Sequence, residues 1–393
     1  MKEKGKGLRK ATLLIASTLT VMSGAIIAPA LPQISRDFSH VQGVELLSRL
    51  VLTLPALFMA ILAPLAGYLI DKSGRKRVLL VSLVLYAIAG TSGLYLNTLP
   101  AILVGRAILG IAVGGLVTAV ITLIGDYFEG EERSRFVGTQ AAFAGLGGLV
   151  FISSGGILAD IHWRMPFLIY ISSLLVWLMA VISVYEPEKI KQEALPRKKG
   201  SEKKDGNFVP AKVLWICAIA FFSAIVFYMI PVQMPFMLSS MEGISNAEIG
   251  FAIAFVNVAS VTTSLNYSRI KRHIGFGTIM GLVYVIVFTG FFIISLGGSY
   301  TVMIAGIALT GLGFGMMMPN INLWLISSAP AHLRGRFVGY LNSSLFLGMF
   351  LSPVAIQPLI KISSLNHSFL LMGLILLVLA GVFFAYGRKK KTP

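Results

Sequence analysis

Arg133-Ser134-Arg135-Phe136-Val137-Gly138 and Arg334-Gly335-Arg336-Phe337-Val338-Gly339 lie 201 positions apart and agree at five of their six positions. The same offset carries Gly105, Gly110 and Gly114 onto Gly306, Gly311 and Gly315, and Leu146-Gly147 onto Leu347-Gly348. One offset held across two long apolar stretches marks an internal duplication. The chain therefore consists of two copies of one plan.

What is duplicated follows from the composition. Of 393 residues, 56% are apolar and 12% charged, against about 45–50% and about 25% in a soluble domain. That balance excludes disorder and a disulfide scaffold, and Cys217 stands alone. Apolar runs occur near 11–32, 46–70, 78–97, 99–125, 136–159 and 165–185, and again near 212–238, 247–267, 276–296, 301–327, 337–360 and 368–387. A bilayer core about 30 Å thick takes roughly 20 apolar residues in a helix. The expected fold is an all-α membrane protein, with twelve transmembrane helices in two six-helix pseudo-symmetric bundles. Residues 1–185 form the first bundle, 186–211 a basic cytoplasmic linker, and 212–393 the second bundle. Parallel six-span repeats are a transporter arrangement, with the solute site near the midplane between them.

The charge balance sets orientation. The formal net charge is +17, from 33 Lys+Arg and 16 Asp+Glu. With the N-terminus in the cytoplasm, 28 of the 33 basic residues fall in inner segments. Arg36, Arg49, Arg164 and Lys361 remain outside, and Arg106 lies within a span. This asymmetry is the positive-inside pattern. Both termini are expected in the cytoplasm of a multi-pass protein of the cell (plasma or inner) membrane, and the basic excess is no sign of nucleic acid. The basic linker reads as a loop facing lipid headgroups. Ala28-Pro29-Ala30 mimics a signal-peptidase site, but the apolar stretch exceeds a signal core, and the first span reads as an uncleaved helix.

After the second span the sequence runs Gly67-Tyr68-Leu69-Ile70-Asp71-Lys72-Ser73-Gly74-Arg75-Lys76-Arg77. An acidic residue set among four basic ones, with glycines bounding the turn, is more specific than positive-inside charge alone. With the six-plus-six repeat, it resembles the signature loop of the major facilitator superfamily, and the resemblance covers essentially the whole chain. It implies a conformational latch of Gly67, Asp71, Gly74 and Arg75, with Asp126 at the inner end of span four. The second-half counterparts of Gly67, Asp71 and Arg75 are Ser268, Arg272 and Phe276, so the latch is expected to be asymmetric. Pro29-Ala30-Leu31-Pro32 resembles the twelve-span drug:proton antiporters of that superfamily. In span five, Phe151-Ile152-Ser153-Ser154-Gly155-Gly156 keeps the antiporters' glycine pair and lacks their Gly-Pro. His162-Trp163-Arg164-Met165-Pro166-Phe167 resembles the outer loop into span six, with Trp163 an anchor at the headgroups.

Arg106 is the basic residue clearly within a span, and such residues are costly and functional by default. The resemblance links it to coupling or substrate binding; the residues alone also allow it to tie helices together through backbone carbonyls. None of the sixteen carboxylates falls at mid-span. Asp37 and Glu45 near the outer mouth are the best proton-site candidates, although Arg49 lies one helical turn after Glu45, at ion-pairing distance. The neutral polar groups within spans are Gln140, Tyr228, Gln233, Asn257, Asn320, Asn322 and Asn342. In the family's fold, spans one, four, seven and ten line the cavity, which favours Arg106, Tyr228, Gln233, Asn320, Asn322 and Trp324.

No nucleophile, metal-ligand or phosphate-loop pattern appears, and the five histidines are scattered at span ends. The chain is therefore read as a non-enzyme without a cofactor, using the proton gradient as its energy source. Two readings stand. One is alternating-access, proton-coupled efflux of a lipophilic drug or metabolite. The other is a proton-coupled carrier of an anionic or zwitterionic metabolite, such as a siderophore or organic acid, in either direction. The expected partners are the solute, protons and membrane lipid, and a monomer is expected.

Overall fold

The structure is a computed structural model, which describes residues 4–187, 210–330 and 333–389. Eleven described helices are long and apolar enough to cross a membrane, or twelve with a bent first pair counted as one span. They are α1 (Lys4–Ala25), α2 (Val44–Ser73), α3 (Arg75–Gly90), α4 (Leu99–Tyr127), α5 (Gly130–Ile161) and α6 (Ser172–Ser183). They continue with α7 (Ala211–Leu238), α8 (Asn246–His273), α9 (Phe276–Ser295), α10 (Tyr300–Ser328), α11 (Arg334–Ile362) and α12 (Leu365–Lys389). The chain is an all-α, multi-pass membrane protein.

Two of the expected spans are not single helices. The first is bent by 43° between Lys6–Thr20 and Met22–Asp37, ahead of its prolines. Beyond Ala25 it continues as a 3₁₀ turn, Ala28–Ala30, and a short helix, Leu31–Asp37, with Pro29 and Pro32 in their opening positions. Proline lacks the N–H that would continue the preceding ladder. The sixth starts as a 3₁₀ turn, Met165–Ile171, with Pro166 at its head, before α6 begins.

Helix packing carries the 201-residue repeat into three dimensions. Gly110 of α4 lies against Pro55 of α2, and Gly311 of α10 lies against Val256 of α8. One turn on, Gly114 meets Met59, and Gly315 meets Ser260. Pro55 and Val256 are themselves 201 apart, as are Met59 and Ser260. Likewise Gly147 of α5 faces Thr18 of α1, while Gly348 of α11 faces Phe221 of α7. Small residues let backbones approach where apolar burial gives little drive within lipid. Between the first six helices and the last six, α2 packs on α11 and α5 packs on α8. At the second of these contacts Gly156 and Gly250 bring backbone onto backbone, with the built Cβ of Gly250 3.1 Å from the Gly156 Cα.

These contacts give a test. A Cβ at Gly311 would stand 2.7 Å from the Val256 carbonyl oxygen, whereas one at Gly138 meets nothing within 4 Å. Gly311→Ala is expected to cost about 1–3 kcal/mol, the usual range for overpacking, and to lower the thermal midpoint of the detergent-purified protein. Gly138→Ala should leave that midpoint unchanged or slightly raised, since alanine favours helix.

Candidate functional site

A cavity of about 420 Å³ lies between the two sets of six helices. Its walls are mostly apolar, including Leu52, Met59, Phe227, Met318, Phe346 and Met349, and no Asp, Glu, Lys or Arg lines it among the described residues. The polar groups on the wall are few: Thr20, Ser23, Tyr228 and Asn257. The Thr20 hydroxyl donates to the Ser17 carbonyl and the Ser23 hydroxyl to the Thr20 carbonyl, so both are engaged within α1. The Tyr228 hydroxyl and the Asn257 amide have no partner among the described residues. The Tyr228 hydroxyl faces Gly24 of α1, 3.7 Å from where a Cβ would stand there, an ordinary contact distance. Two free polar groups on a greasy wall are the kind of sparse, placed polarity that orients a small molecule.

Arg106 does not line this cavity. It is fully buried one layer behind the wall, where its guanidinium joins α1, α2, α4 and the turn before α6. Nε donates to the Val51 carbonyl at 2.8 Å, Nη2 to the Ser23 carbonyl, and Nη1 to the Tyr170 hydroxyl at 3.0 Å. The Tyr170 hydroxyl in turn donates to the Ser23 carbonyl at 2.9 Å. Sequence explains why those carbonyls are available. The helical partner of Val51 would be the N–H four residues on, which is Pro55 and has none. Ser23 is in the last turn of α1, where carbonyls lose their intrahelical donors. The tie through backbone carbonyls, one of the two roles open for this residue, is the arrangement seen.

The other expected pathway residues are also dispersed. Asn320 is fully buried, accepting from the Tyr267 hydroxyl at 3.1 Å and donating to the Phe276 carbonyl at 3.1 Å, which ties α8, α9 and α10. The Asn322 amide donates to the Met318 carbonyl within its own helix. Trp324 is buried and stacks on Phe276, with centroids 5.8 Å apart. Asp37 lies at the end of the bundle opposite the termini and accepts from the Trp163 indole. Among the seven, Tyr228 alone reaches the cavity. The physical reason is that α4 and α10 turn Val117 and Met318 toward it, while their larger polar side chains find partners behind it.

Gln233 belongs to a closure at the end of the bundle opposite the termini. Its Oε1 accepts from Arg49 Nε at 2.9 Å, linking α7 to α2, and its buried Nε2 has no partner among the described residues. The Arg49 guanidinium lies 4.3 Å from the Phe236 ring centroid and also donates to the Glu45 backbone carbonyl. The expected Glu45–Arg49 ion pair is not formed, because the Glu45 carboxylate instead accepts from Gln357 of α11 at 3.3 Å. Asp160, at the end of α5, accepts from the backbone N–H of Asn246 at 2.7 Å and of Ala247 at 3.1 Å. The next N–H, of Glu248, is taken by Ser245 in a capping box. Thus α8 has its first free donors satisfied partly by the opposite six helices, at the end where a carboxylate is most favourable.

At the end of the bundle that carries the termini, Arg75 Nε and Asp126 Oδ2 form an ion pair at 3.1 Å. Beside it, Glu186 caps α3, accepting from the N–H groups of Arg75 and Lys76 at 2.8 Å each. Gly74 permits this close approach: its φ is +91°, and an added Cβ would lie 2.9 Å from the Glu186 carboxyl carbon. Gly67 and Asp71 belong to α2, but their side chains lie outside the described residues. Sequence reading missed Glu186, Arg49, Asp160 and Asn257 as site residues. Glu186 carried a signal in its position, being the first carboxylate after the sixth span; the others are paired only by the fold.

A family model described as Major Facilitator Superfamily matches residues 13–353. Among curated relatives, the bacillibactin exporter of Bacillus subtilis (strain 168) is 23% identical over 371 residues, covering 88% of each chain. The class D tetracycline resistance protein of Salmonella ordonez is 25% identical over 333 residues and 84% of each chain. The class C protein of Escherichia coli is 34% identical over a shorter match, 38% of each chain. Among solved structures, an inward-facing, occupied bacterial homologue of the human lysosomal transporter Spinster superposes with a TM-score of 0.75 at 16% identity, covering 97% of this chain and 96% of that one. The inward-open xylose transporter XylE of E. coli gives 0.73 at 15%, covering 95% and 96%. At these identities the structural likeness establishes the fold.

The geometry of Arg106 predicts a graded series. Arg106→Gln leaves the Val51 carbonyl without its donor, at about 1–3 kcal/mol for an unsatisfied group, and takes the cation from the Ser23 carbonyl, which keeps the Tyr170 hydroxyl. Tyr170→Phe removes one hydroxyl, at about 1 kcal/mol. Thermal melts of purified protein should rank wild type above Tyr170→Phe, and Tyr170→Phe above Arg106→Gln.

Proposed function

The chain belongs to the major facilitator superfamily of secondary transporters, and from that premise we propose that it exports a lipophilic organic solute by alternating access, driven by the proton gradient. The observation that carries the solute class is the cavity: apolar walls and, among the described residues, no charged side chain and two unpartnered polar groups, Tyr228 and Asn257. Such a wall gains from burying apolar surface and has nothing to neutralise a solute charge. The similarity to tetracycline resistance proteins supports a drug-like solute, and that to the bacillibactin exporter supports export.

In this reading residues 1–185 and 212–393 are the two moving units and 186–211 the linker, with both termini in the cytoplasm of a cell-membrane protein. The closure at the outer end, through Arg49–Gln233, Glu45–Gln357 and Asp160 on α8, breaks as the units rock. At the inner end, Gly67, Asp71, Gly74, Arg75 and Asp126 form the latch, and the Arg75–Asp126 pair supports that assignment. Proton exchange falls to the carboxylates nearest the outer closure, Asp37, Glu45 and Asp160.

A second reading, a carrier for an anionic or zwitterionic metabolite, is favoured by the near full-length match to a bacillibactin exporter. Against it, the arginine nearest the cavity wall, Arg106, is committed to backbone carbonyls and Tyr170.

The test is solute flux in proteoliposomes with a pH gradient imposed in either direction, using tetracycline and a ferric catecholate siderophore as probes. Tetracycline flux should follow the gradient and stop with a protonophore. Tyr228→Phe combined with Asn257→Ala should reduce flux about tenfold, as two hydrogen bonds of about 0.7 kcal/mol each imply. Siderophore flux without tetracycline flux selects the second reading. Flux that ignores the pH gradient rules out proton coupling.

A further inference from the structure

A larger concavity than the central one opens on the outside of the bundle. It measures about 880 Å³ and runs between α3 and α6, with Leu80, Val84, Ile88 and Trp177 along its wall and Lys72, Lys76 and Arg77 at its inner mouth. A second groove, of about 280 Å³, runs along the other side of α3 against α2 and α4, past Leu62, Ile111 and Gly115. The two share Ser73, Arg77, Val81 and Leu85. Arg77, Val81 and Leu85 follow one another at four-residue spacing and so form one ridge of α3. Val81 is 61% exposed and Ile88 58% exposed, and in a spanning helix that exposure faces lipid. A ridge with a cation at its top and an apolar groove down each flank has the shape to be straddled by a molecule with one head and two chains.

The charge at the mouth selects the head. Lys72 and Arg77 are exposed and have no ion pair or hydrogen bond among the described residues, and the Lys76 amine donates to the Val181 carbonyl at 3.0 Å. Glu186 is the acidic residue on the groove's rim, and both its oxygens are occupied by the N–H groups of Arg75 and Lys76. The mouth is therefore positive, at the depth where a lipid headgroup lies and where a nearby Lys or Arg attracts anionic lipid. A free phosphate would satisfy the mouth and leave both grooves unused.

We infer that the ridge Arg77–Val81–Leu85 of α3 is a binding site for a two-chain anionic phospholipid, its headgroup on Lys72 and Arg77 and one acyl chain in each flanking groove. The site shares its loop with the Arg75–Asp126 pair, so an occupied site holds the start of α3 in place beside that pair.

The probe is the full chain purified in neutral detergent, titrated with dioleoylphosphatidylglycerol and read by native mass spectrometry and by thermal midpoint. Saturable binding with a raised midpoint is expected. Dioleoylphosphatidylcholine and inorganic phosphate should leave the midpoint unchanged, and single-chain lysophosphatidylglycerol should bind more weakly. Lys72→Gln with Arg77→Gln should weaken binding about thirtyfold, at about 1 kcal/mol per basic residue near the headgroups. Val81→Trp keeps every charge and crowds both grooves from a lipid-exposed position, and should remove the advantage of two chains over one. Neutralising Lys198, Lys199, Lys203 and Lys204 in the linker should leave binding intact. Equal effects of phosphatidylglycerol and phosphatidylcholine, a phosphate effect equal to the lipid's, unchanged binding by the double variant, or loss on neutralising the linker would each overturn the assignment.

Discussion

A guanidinium sealed inside a membrane protein must find acceptors there, and the first six helices are arranged around that requirement. Arg106 is fully buried and reaches no carboxylate among the described residues. It is held by two backbone carbonyls, a tyrosine hydroxyl and the faces of Tyr170 and Phe167, at 5.2 and 6.0 Å from the ring centroids. Proline supplies one of those carbonyls: Pro55 cannot donate to Val51, and the oxygen left over is where Nε lands. The end of α1 supplies the other. Charge and helix defect thus satisfy each other in a medium without water.

The clamp also breaks the repeat in a useful way. The 201-residue offset places Ile307 on Arg106, so α10 has glycine contacts matching those of α4 but no clamp. Where the first six helices are fixed by a buried cation, the second six are joined by Asn320 between α8, α9 and α10 and by the Ser223–Tyr284 contact at 3.0 Å between α7 and α9. Two sets of helices with one plan and different internal fastening meet at glycine crossings and at a small number of polar links. Those links concentrate at the end opposite the termini, around Arg49, Glu45 and Asp160. A closure of that kind can be broken without disturbing either core.

The architecture was legible in the sequence because its signals are local or periodic. Long apolar runs and a repeat at constant offset need no knowledge of side-chain direction. The repeat proved better than its visible matches, since it also pairs Pro55 with Val256 and Met59 with Ser260, residues that share no identity. The site was much less legible. Knowing which helices surround a cavity does not say which face each presents, and a rotation of one residue, about 100° in an α-helix, decides between the wall and the layer behind it. Hence Asn320 and Trp324 fell inside their own bundle while Asn257, on α8, reached the cavity. Arg49 looked like the partner of Glu45 one turn away, because the Gln233 that takes it is 184 positions distant. In sequence Glu186 belongs to the basic linker, and the fold turns it onto the start of α3.

The pairing of Arg106 with the carbonyl that Pro55 frees is most directly tested by a double-mutant cycle on stability. Pro55→Ala returns a helical N–H donor to Val51, and should therefore lessen the harm done by Arg106→Gln. The account predicts a coupling between the two substitutions of about 1 kcal/mol or more, within the range for residues sharing one network, read as a smaller loss of thermal midpoint for the pair than the sum of the singles. Strictly additive losses would contradict it, and would mean that Arg106 holds these helices by something other than the carbonyl that proline leaves free.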